Sequence, residues 1–355
     1  MSADVLTRSG AGRVVAPAGA LPQAADRLRP EGIATGAEVA VAVEYLNLDS
    51  ASFRDLAEHN RHDPAAITGE VLSIVARHGK MTNPRTGSGG MLVGRVIELG
   101  DEASGLAVGD RIASLISLTA TPLEILDALE RWDASSEVVP VSARAVLPSP
   151  AALCRLPDDI SPEVALSVLD VCGAPAHAER LIRRPLLSGR VERMLLLGGG
   201  KSAVLAAAAA RRAGVATVCV VPGESEAARL RAAGLFDEVV MADATDPAAV
   251  HREVAAVGPL ADLTLVCVNA PGCEHAALVS TRPGGAVVFF SMATSFTAVA
   301  LGAEALCLDL DLFFGTGYVP GHAETALELV RTDSRARGFF EAAHRPHHTT
   351  DTEQK

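Results

Sequence analysis

The stretch Met194-Leu-Leu-Leu-Gly-Gly-Gly-Lys-Ser-Ala203 decides the fold class, because three glycines separate an apolar run from an alanine-rich run. The apolar run predicts a buried strand, and the alanine-rich run predicts a helix. Glycines let the backbone approach a ligand closely, and a helix N-terminus offers free N–H groups to phosphates. The stretch therefore predicts a turn that binds the pyrophosphate of a dinucleotide, with Gly198, Gly200 and Ala203 in the GxGxxA positions.

The same glycines do not make a nucleotide-triphosphatase P-loop. That motif needs a glycine five residues before Gly200, where this chain has Leu195. A merely structural turn is the remaining alternative to cofactor binding. The residues expected to bind the dinucleotide are Gly198, Gly199, Gly200, Lys201 and Ser202, with Asn269 and Ser291 at the ends of two later apolar strands.

The choice between NAD and NADP stays open at this point. An NAD site usually has an acidic residue at the end of the second strand, and this chain has Val221-Pro222 there, with Glu224 in the following loop. Arg229 or Arg231 could meet a 2′-phosphate, although a solvated helix face also explains both arginines.

The flanking patterns predict two domains. Apolar strands alternate with helices after residue 160, which is typical of a doubly wound parallel sheet. Earlier residues carry short β-branched runs, such as 39–45 and 94–100, and one amphipathic helix at 63–78. We expect an α/β protein with a β domain over residues 1–160, a Rossmann domain over 161–341 and a disordered tail over 342–355.

Composition narrows the class of protein. The 355 residues hold 31 Lys and Arg against 43 Asp and Glu, a net charge of -12, which disfavours nucleic-acid and anionic-membrane partners. No apolar run approaches the roughly 20 residues of a transmembrane helix. The six cysteines form no CxxC pair and the N-terminus shows no secretory signal, so we expect reduced thiols and a cytoplasmic location.

Polar side chains concentrate in two loops of the first domain. Residues 79–92 combine glycines with Lys, Asn, Arg and Ser, which permits close approach by a ligand. Residues 47–52 follow an apolar strand and place one carboxylate beside two hydroxyls. A long turn and an N-cap for the next helix are the respective alternatives. In the second domain, Glu304 is one carboxylate in an apolar segment, and a solvent-facing position is its alternative.

Several longer runs carry a resemblance to a known family. They are Gly79-Lys-Met-Thr-Asn-Pro84, Thr86-Gly-Ser-Gly-Gly-Met-Leu92, Ala113-Ser-Leu-Ile-Ser-Leu118, Phe289-Phe-Ser-Met-Ala-Thr-Ser-Phe296, Leu301-Gly-Ala-Glu304 and Gly317-Tyr-Val-Pro-Gly-His-Ala-Glu324. These runs closely resemble the L-erythro-3,5-diaminohexanoate dehydrogenase family, and the resemblance extends from about residue 12 to residue 331.

The resemblance implies a medium-chain dehydrogenase and reductase architecture, with a GroES-like β domain followed by a Rossmann domain, and a homodimer. It implies NAD-dependent oxidative deamination of L-erythro-3,5-diaminohexanoate, in lysine degradation, to 5-amino-3-oxohexanoate and ammonium. The chain departs from the family pattern at Thr82, where the family has His, and at Val221-Pro222, where it has an acid. Asp49 and the 87–90 segment stand where zinc-dependent relatives have ligands, so no metal is expected.

Oxidation of an amine requires a base, because a carbon that bears an ammonium group is a poor hydride donor. The candidates for the catalytic base, or for the anion that faces a substrate ammonium, are Lys80, Asp49 and Glu304. The candidates for substrate binding are Asn83, Ser88 and Ser50. A zinc-independent NADPH reductase of enones or quinones, and a non-catalytic dinucleotide-binding redox sensor, are the alternatives to this function.

Overall fold

The computed structural model describes residues 8–187, 189–302, 307–315, 317–319 and 321–342. The chain divides into two compact units, Met1–Pro162 and Glu163–Lys355. The sequence-based boundary after residue 160 lies two residues before this division. The expected tail, residues 342–355, lies outside the described residues except for Ala342, which ends a helix.

The first unit is built around an antiparallel six-stranded sheet, with strand order β6-β7-β3-β4-β5-β8. A two-stranded ribbon, β1 with β2, precedes the sheet. The strands are β1 Val14–Ala16, β2 Arg27–Leu28, β3 Val39–Leu48, β4 Gly90–Leu99, β5 Arg111–Ser114, β6 Leu123–Ile125, β7 Val138–Leu147 and β8 Leu153–Arg155, and the helices are α1 Ser50–His59 and α2 Pro64–His78.

Helix α2 begins and ends as its sequence predicts. The Asp63 carboxylate accepts a hydrogen bond from the Ala65 backbone N–H, and Pro64 occupies the first helical position. Gly79 ends the helix with φ of 61°, a left-handed conformation that glycine adopts at little cost. The sequence analysis expected one helix here, whereas the unit has two, because α1 begins directly after Asp49.

The second unit is a parallel six-stranded sheet with helices in every connection between its strands, and its strand order is β11-β10-β9-β12-β13-β14. The strands are β9 Arg193–Leu197, β10 Ala216–Val221, β11 Glu238–Met241, β12 Ala261–Val266, β13 Thr281–Phe289 and β14 Asp311–Phe314. The helices are α3 Pro162–Leu169, α4 Gly173–Arg183, α5 Lys201–Arg212, α6 Glu224–Ala232, α7 Pro247–Ala256, α8 Glu274–Val279, α9 Phe296–Ala300, α10 His322–Thr332 and α11 Ser334–Ala342.

The strand order reverses between β9 and β12. The chain runs outward from β9 through β10 to β11, then returns to β12 on the other side of β9. Leu197 pairs with Val266, and Val266 pairs with Phe289, so three strands end at the same level. Ligands bind in the crevice at such a reversal, beyond the carboxyl ends of the strands. The fold class predicted from the sequence, a β unit followed by a Rossmann unit, is confirmed.

Helix α5 lies in the core of the second unit. Its residues 203–210 are all buried, and seven of these eight residues carry side chains no larger than valine. Small side chains around the whole circumference allow the helix to approach its neighbours closely.

In the described part of the chain, the structure has no helix both long and apolar enough to cross a membrane.

Candidate active site

Asp49 lies at the carboxyl end of β3 and its two carboxylate oxygens differ in their surroundings. Oδ1 accepts hydrogen bonds from the Ser52 backbone N–H and from the Ser88 hydroxyl, both at 2.9 Å. Oδ2 is buried and has no hydrogen-bond partner among the residues that the structure describes. A buried carboxylate oxygen without a donor is costly, so Oδ2 is suited to receive a donor from a ligand.

Three hydroxyl groups orient this carboxylate. The Ser88 hydroxyl lies 2.8 Å from the Ser52 hydroxyl and 2.8 Å from the Thr86 hydroxyl. Ser88 has one hydroxyl hydrogen and donates it to Asp49, so it accepts hydrogen bonds from the other two hydroxyls. The sequence analysis identified Asp49 and Ser88 as candidates, and the structure brings them together. The Ser52 hydroxyl was noted beside the carboxylate but not chosen as a candidate, and Thr86, 34 residues later, was not chosen either.

Asn83 stabilises the loop that carries Ser88. Its side chain is fully buried and donates to the Ser52 carbonyl at 3.3 Å and to the Asp55 carboxylate at 2.8 Å. Its amide oxygen accepts from the Arg85 backbone N–H at 2.9 Å. These bonds use the side chain within the loop. Ser50 is exposed at the start of α1 and makes no hydrogen bond to the hydroxyl cluster of Ser52, Thr86 and Ser88.

Lys80 is buried, and it has no carboxylate as a hydrogen-bond partner among the described residues. Its ammonium nitrogen donates to the carbonyls of Pro22 at 2.9 Å and Gln23 at 3.2 Å, and only 3% of the residue is exposed. Burial lowers the pKa of Lys80, against a smaller raising effect of the Asp26 carboxylate. A neutral amine has two N–H donors and a lone pair, so the two carbonyls can satisfy the donors of a neutral Lys80.

Thr82, where the family pattern has His, lies two residues after Lys80. Its hydroxyl oxygen is buried and has no hydrogen-bond partner in the described part of the chain. Glu304, the third catalytic candidate, lies outside the described residues. His322 begins α10, and its Nδ1 lies 2.7 Å from the Val319 carbonyl.

The glycine turn after β9 is closely packed at two of its three positions. A Cβ at Gly198 would lie 3.1 Å from the Val268 backbone nitrogen, and Gly198 has φ of 99°. A Cβ at Gly199 would lie 2.5 Å from a methyl group of Leu230. Gly200 has open space around it and precedes the first turn of α5. The turn thus presents an uncovered backbone at the start of a long helix, which fits the pyrophosphate of a dinucleotide.

Lys201 and Ser202 open α5 and are half-buried. The Lys201 ammonium lies 2.9 Å from the Asp170 carboxylate, so its charge is paired within the second unit. The sequence carried no signal for Asp170, which lies 31 residues earlier. A pyrophosphate bound at this turn would have to share the Lys201 ammonium with the Asp170 carboxylate, or displace that carboxylate from it.

Asn269 and Ser291 follow β12 and β13 at the same edge of the sheet as the glycine turn. Asn269 is exposed. The Ser291 hydroxyl oxygen accepts a hydrogen bond from the Ala293 backbone N–H at 3.1 Å. Both residues therefore lie at the edge of the sheet where the sequence predicts the cofactor.

Within the described ranges, no group of three or more His, Cys, Asp and Glu side chains is arranged to hold a metal ion.

Comparisons with known proteins extend over both units. A family model described as the L-erythro-3,5-diaminohexanoate dehydrogenase N-terminal domain matches residues 12–157. The L-erythro-3,5-diaminohexanoate dehydrogenase of Acetoanaerobium sticklandii is 38% identical over 339 residues, which cover 94% of this chain and 97% of that protein. The enzyme of the same name from Fusobacterium nucleatum subsp. nucleatum is 37% identical over 338 residues, covering 93% and 96%.

A solved structure of similar fold is the D-arabinose dehydrogenase from Sulfolobus solfataricus. It superposes with a TM-score of 0.55 at 13% identity, covering 85% of this chain and 89% of that chain. At this identity the similarity concerns the fold alone.

The buried Lys80 predicts a pH dependence of stability. Because its pKa is lower in the folded than in the unfolded chain, the folded chain binds this proton less tightly. The unfavourable contribution is fully present below the folded pKa and disappears as pH rises toward the unfolded value near 10.4. Relative to Lys80→Met, the wild type should therefore gain free energy of unfolding between pH 7 and pH 10, by about 1.4 kcal/mol per unit of pKa shift.

Urea unfolding of both proteins at several pH values measures this difference. A difference that stays constant with pH, or that changes in favour of Lys80→Met as pH rises, would contradict the prediction.

Proposed function

The chain belongs to the L-erythro-3,5-diaminohexanoate dehydrogenase family, and from this membership we propose that it oxidises L-erythro-3,5-diaminohexanoate, or a related β-amino acid. The products are 5-amino-3-oxohexanoate and ammonium for the first substrate. The observation that carries the proposal is sequence identity spread over nearly the full length of both chains. As in its relatives, the chain is a dehydrogenase, and a nicotinamide dinucleotide accepts the hydride.

The reaction requires a group that accepts a proton from the substrate ammonium. The substrate amine enters mainly as an ammonium ion and must lose one proton before its carbon can give up a hydride. Water then converts the resulting iminium group to a ketone and an ammonium ion. The net reaction therefore consumes one water and releases one proton in addition to the hydride.

We assign the ammonium contact to Asp49. Ser88 and the Ser52 backbone occupy Oδ1, which leaves Oδ2 as a buried acceptor for a cation. A carboxylate in this arrangement attracts the substrate ammonium, fixes its position and can take its proton. Ser88 acts through Asp49 and is a positioning residue. Asn83 supports the loop of Ser88, and Ser50 is left as a candidate contact for the substrate carboxylate.

Lys80 is the second candidate for the base. Burial lowers its pKa toward the range in which an amine can accept a proton, and its two carbonyl partners hold its nitrogen in place. Glu304 remains a candidate from the sequence alone.

Free thiols at all six cysteines fit a reducing compartment, so we propose a cytoplasmic location.

Turnover with purified protein tests the proposed function. Mixing it with L-erythro-3,5-diaminohexanoate and NAD should produce absorbance at about 340 nm from the reduced nicotinamide, and one ammonium ion per reduced nicotinamide. The apparent equilibrium should shift toward the ketone about tenfold per pH unit, because one proton is released. Dinucleotide binding without amine turnover would reject this function and favour the reductase of enones or the redox sensor.

Replacement of Asp49 tests its assignment. Asparagine also caps helices well, so Asp49→Asn should keep the fold and α1 while removing the negative charge. We expect kcat/KM for the amine to fall by roughly 10²- to 10⁴-fold, with unchanged binding of NADH.

The matched control for this variant is Asp133→Asn. Asp133 also accepts hydrogen bonds from a serine, Ser135, through its backbone N–H at 2.9 Å and its hydroxyl at 2.6 Å. Its replacement should leave kcat/KM within about twofold of the wild type, as is usual for surface changes. If both variants lost activity equally, the role of Asp49 would be rejected.

We also propose that two copies of the chain form a homodimer through β14, an edge strand of the second sheet. An edge strand has unpaired backbone groups that can bind another strand. Leu312 and Phe314 on this strand are 36% and 44% exposed, and the nearby Phe296 is 68% exposed. The Phe296 and Phe314 rings lie 5.4 Å apart, so these residues form one apolar surface.

Light scattering after size-exclusion chromatography should give twice the chain mass of 36.6 kDa. Phe314→Lys should shift the mass toward the monomer. Met241→Lys is the matched control, because Met241 is equally exposed, at 44%, on the opposite edge strand β11. A monomeric wild type would contradict this assembly.

A further inference from the structure

The carboxylate of Glu226 lies beside the glycine turn. Its Oε1 is 3.1 Å from the position that a Cβ would take on Gly199. Val221 at the end of β10 and Leu230 of α6 contact the same position, with atoms at 3.1 Å and 2.5 Å. The turn, the end of the second strand and the start of α6 therefore meet at Gly199, and Glu226 brings the negative charge to that meeting point.

Glu226 has no hydrogen bond and no ion pair among the residues that the structure describes. Its helix neighbour Glu224 differs, because Glu224 pairs with Arg231 at 3.2 Å. The Cys219 thiol, whose sulfur lies 3.5 Å from the Gly198 carbonyl oxygen, has a raised pKa. Burial is the main cause, and the charges of Cys267 and Glu226 add to it. The charge of Glu226 therefore acts on the Cys219 thiol next to Gly198, and no partner in the described part of the chain neutralises it.

The two arginines of α6 are directed elsewhere. Arg231 donates to the Val239 carbonyl as well as pairing with Glu224. Arg229 lines a separate cavity of about 470 Å³ together with Leu235 and Phe339. Arg231 thus has partners of its own, and Arg229 lines a cavity whose lining does not include Gly199.

We propose that Glu226 determines cofactor choice in this protein, by accepting hydrogen bonds from the adenosine ribose hydroxyls of NAD and by repelling the 2′-phosphate of NADP. A Rossmann unit usually takes this acid from the end of its second strand, where this chain has Val221 and Pro222. Here α6 supplies it instead, from its third residue. A phosphate carries a charge near −2 at neutral pH, so an unpaired carboxylate beside the ribose would oppose its binding.

The proposal rests on the proposed function only for the class of cofactor, and it can be tested without any amine substrate. Binding of NADH and of NADPH to the purified chain is measured by the fluorescence of the reduced nicotinamide. The wild type should bind NADH more tightly than NADPH. Glu226→Gln should weaken NADH and strengthen NADPH, and should reduce the ratio of the two affinities by roughly 10- to 100-fold.

Glu224→Gln is the matched control, because it removes the same charge from the same helix two residues away. Its affinity ratio should match that of the wild type. Glu226→Ala provides a second variant without an amide, and it should also reduce the ratio. A wild type that prefers NADPH, or a ratio unchanged in both Glu226 variants, would overturn the proposal.

The two hypotheses fail in different ways. If the chain binds NADH through Glu226 but oxidises no amine, the proposed substrate is wrong and the role of Glu226 stands. If the chain oxidises the amine equally well with either dinucleotide, the role of Glu226 is wrong and the substrate stands.

Discussion

The close packing around Gly198 and Gly199 is the constraint on which the second unit depends. At Gly198 a φ of 99° and close contact with the Val268 backbone disfavour a side chain, and at Gly199 side chains of α6 fill the space. These contacts hold β9, β12 and α6 in one arrangement. They also leave the backbone at Gly200 open in front of α5. The packing of the domain, and the dinucleotide binding that we propose for this turn, therefore depend on the same glycines.

In the first unit, one carboxylate joins a structural task to the chemical task that we propose for it. Asp49 caps α1 through one oxygen and keeps the other free. The hydroxyl cluster of Ser52, Thr86 and Ser88 holds the carboxylate in this orientation, because Ser88 donates to Oδ1 while the other two hydroxyls hold Ser88 in place. The N-cap and catalytic interpretations of Asp49 were alternatives in the sequence, and the structure makes them compatible.

Local patterns predicted the elements that carry both sites. A single sequence is enough to predict the glycine turn, the capped helix α2 and the parallel strands, because each follows from residues that are neighbours in the chain. The resemblance of longer runs added the family, which comparison with whole proteins confirmed. Thr82 and the Val221-Pro222 strand end were visible in the sequence as departures from the family pattern, and the structure shows what surrounds them.

Contacts between distant segments could not be predicted in this way. Asp170 meets Lys201, and Lys80 meets the carbonyls of Pro22 and Gln23, although no spacing in the sequence links them. Glu226 is a different case. The sequence shows an acid near the strand end, but only the packing of α6 on Gly199 distinguishes it from Glu224.

The burial of residues 203–210 of α5 has a consequence for protein engineering. Because residues 203–210 are enclosed on all sides, larger side chains there would displace the strands on which the glycine turn depends. A library intended to alter the cofactor should therefore keep α5 constant. Helix α6, which combines exposed positions with direct contact to the turn, offers variable sites whose substitution leaves the core of the domain undisturbed.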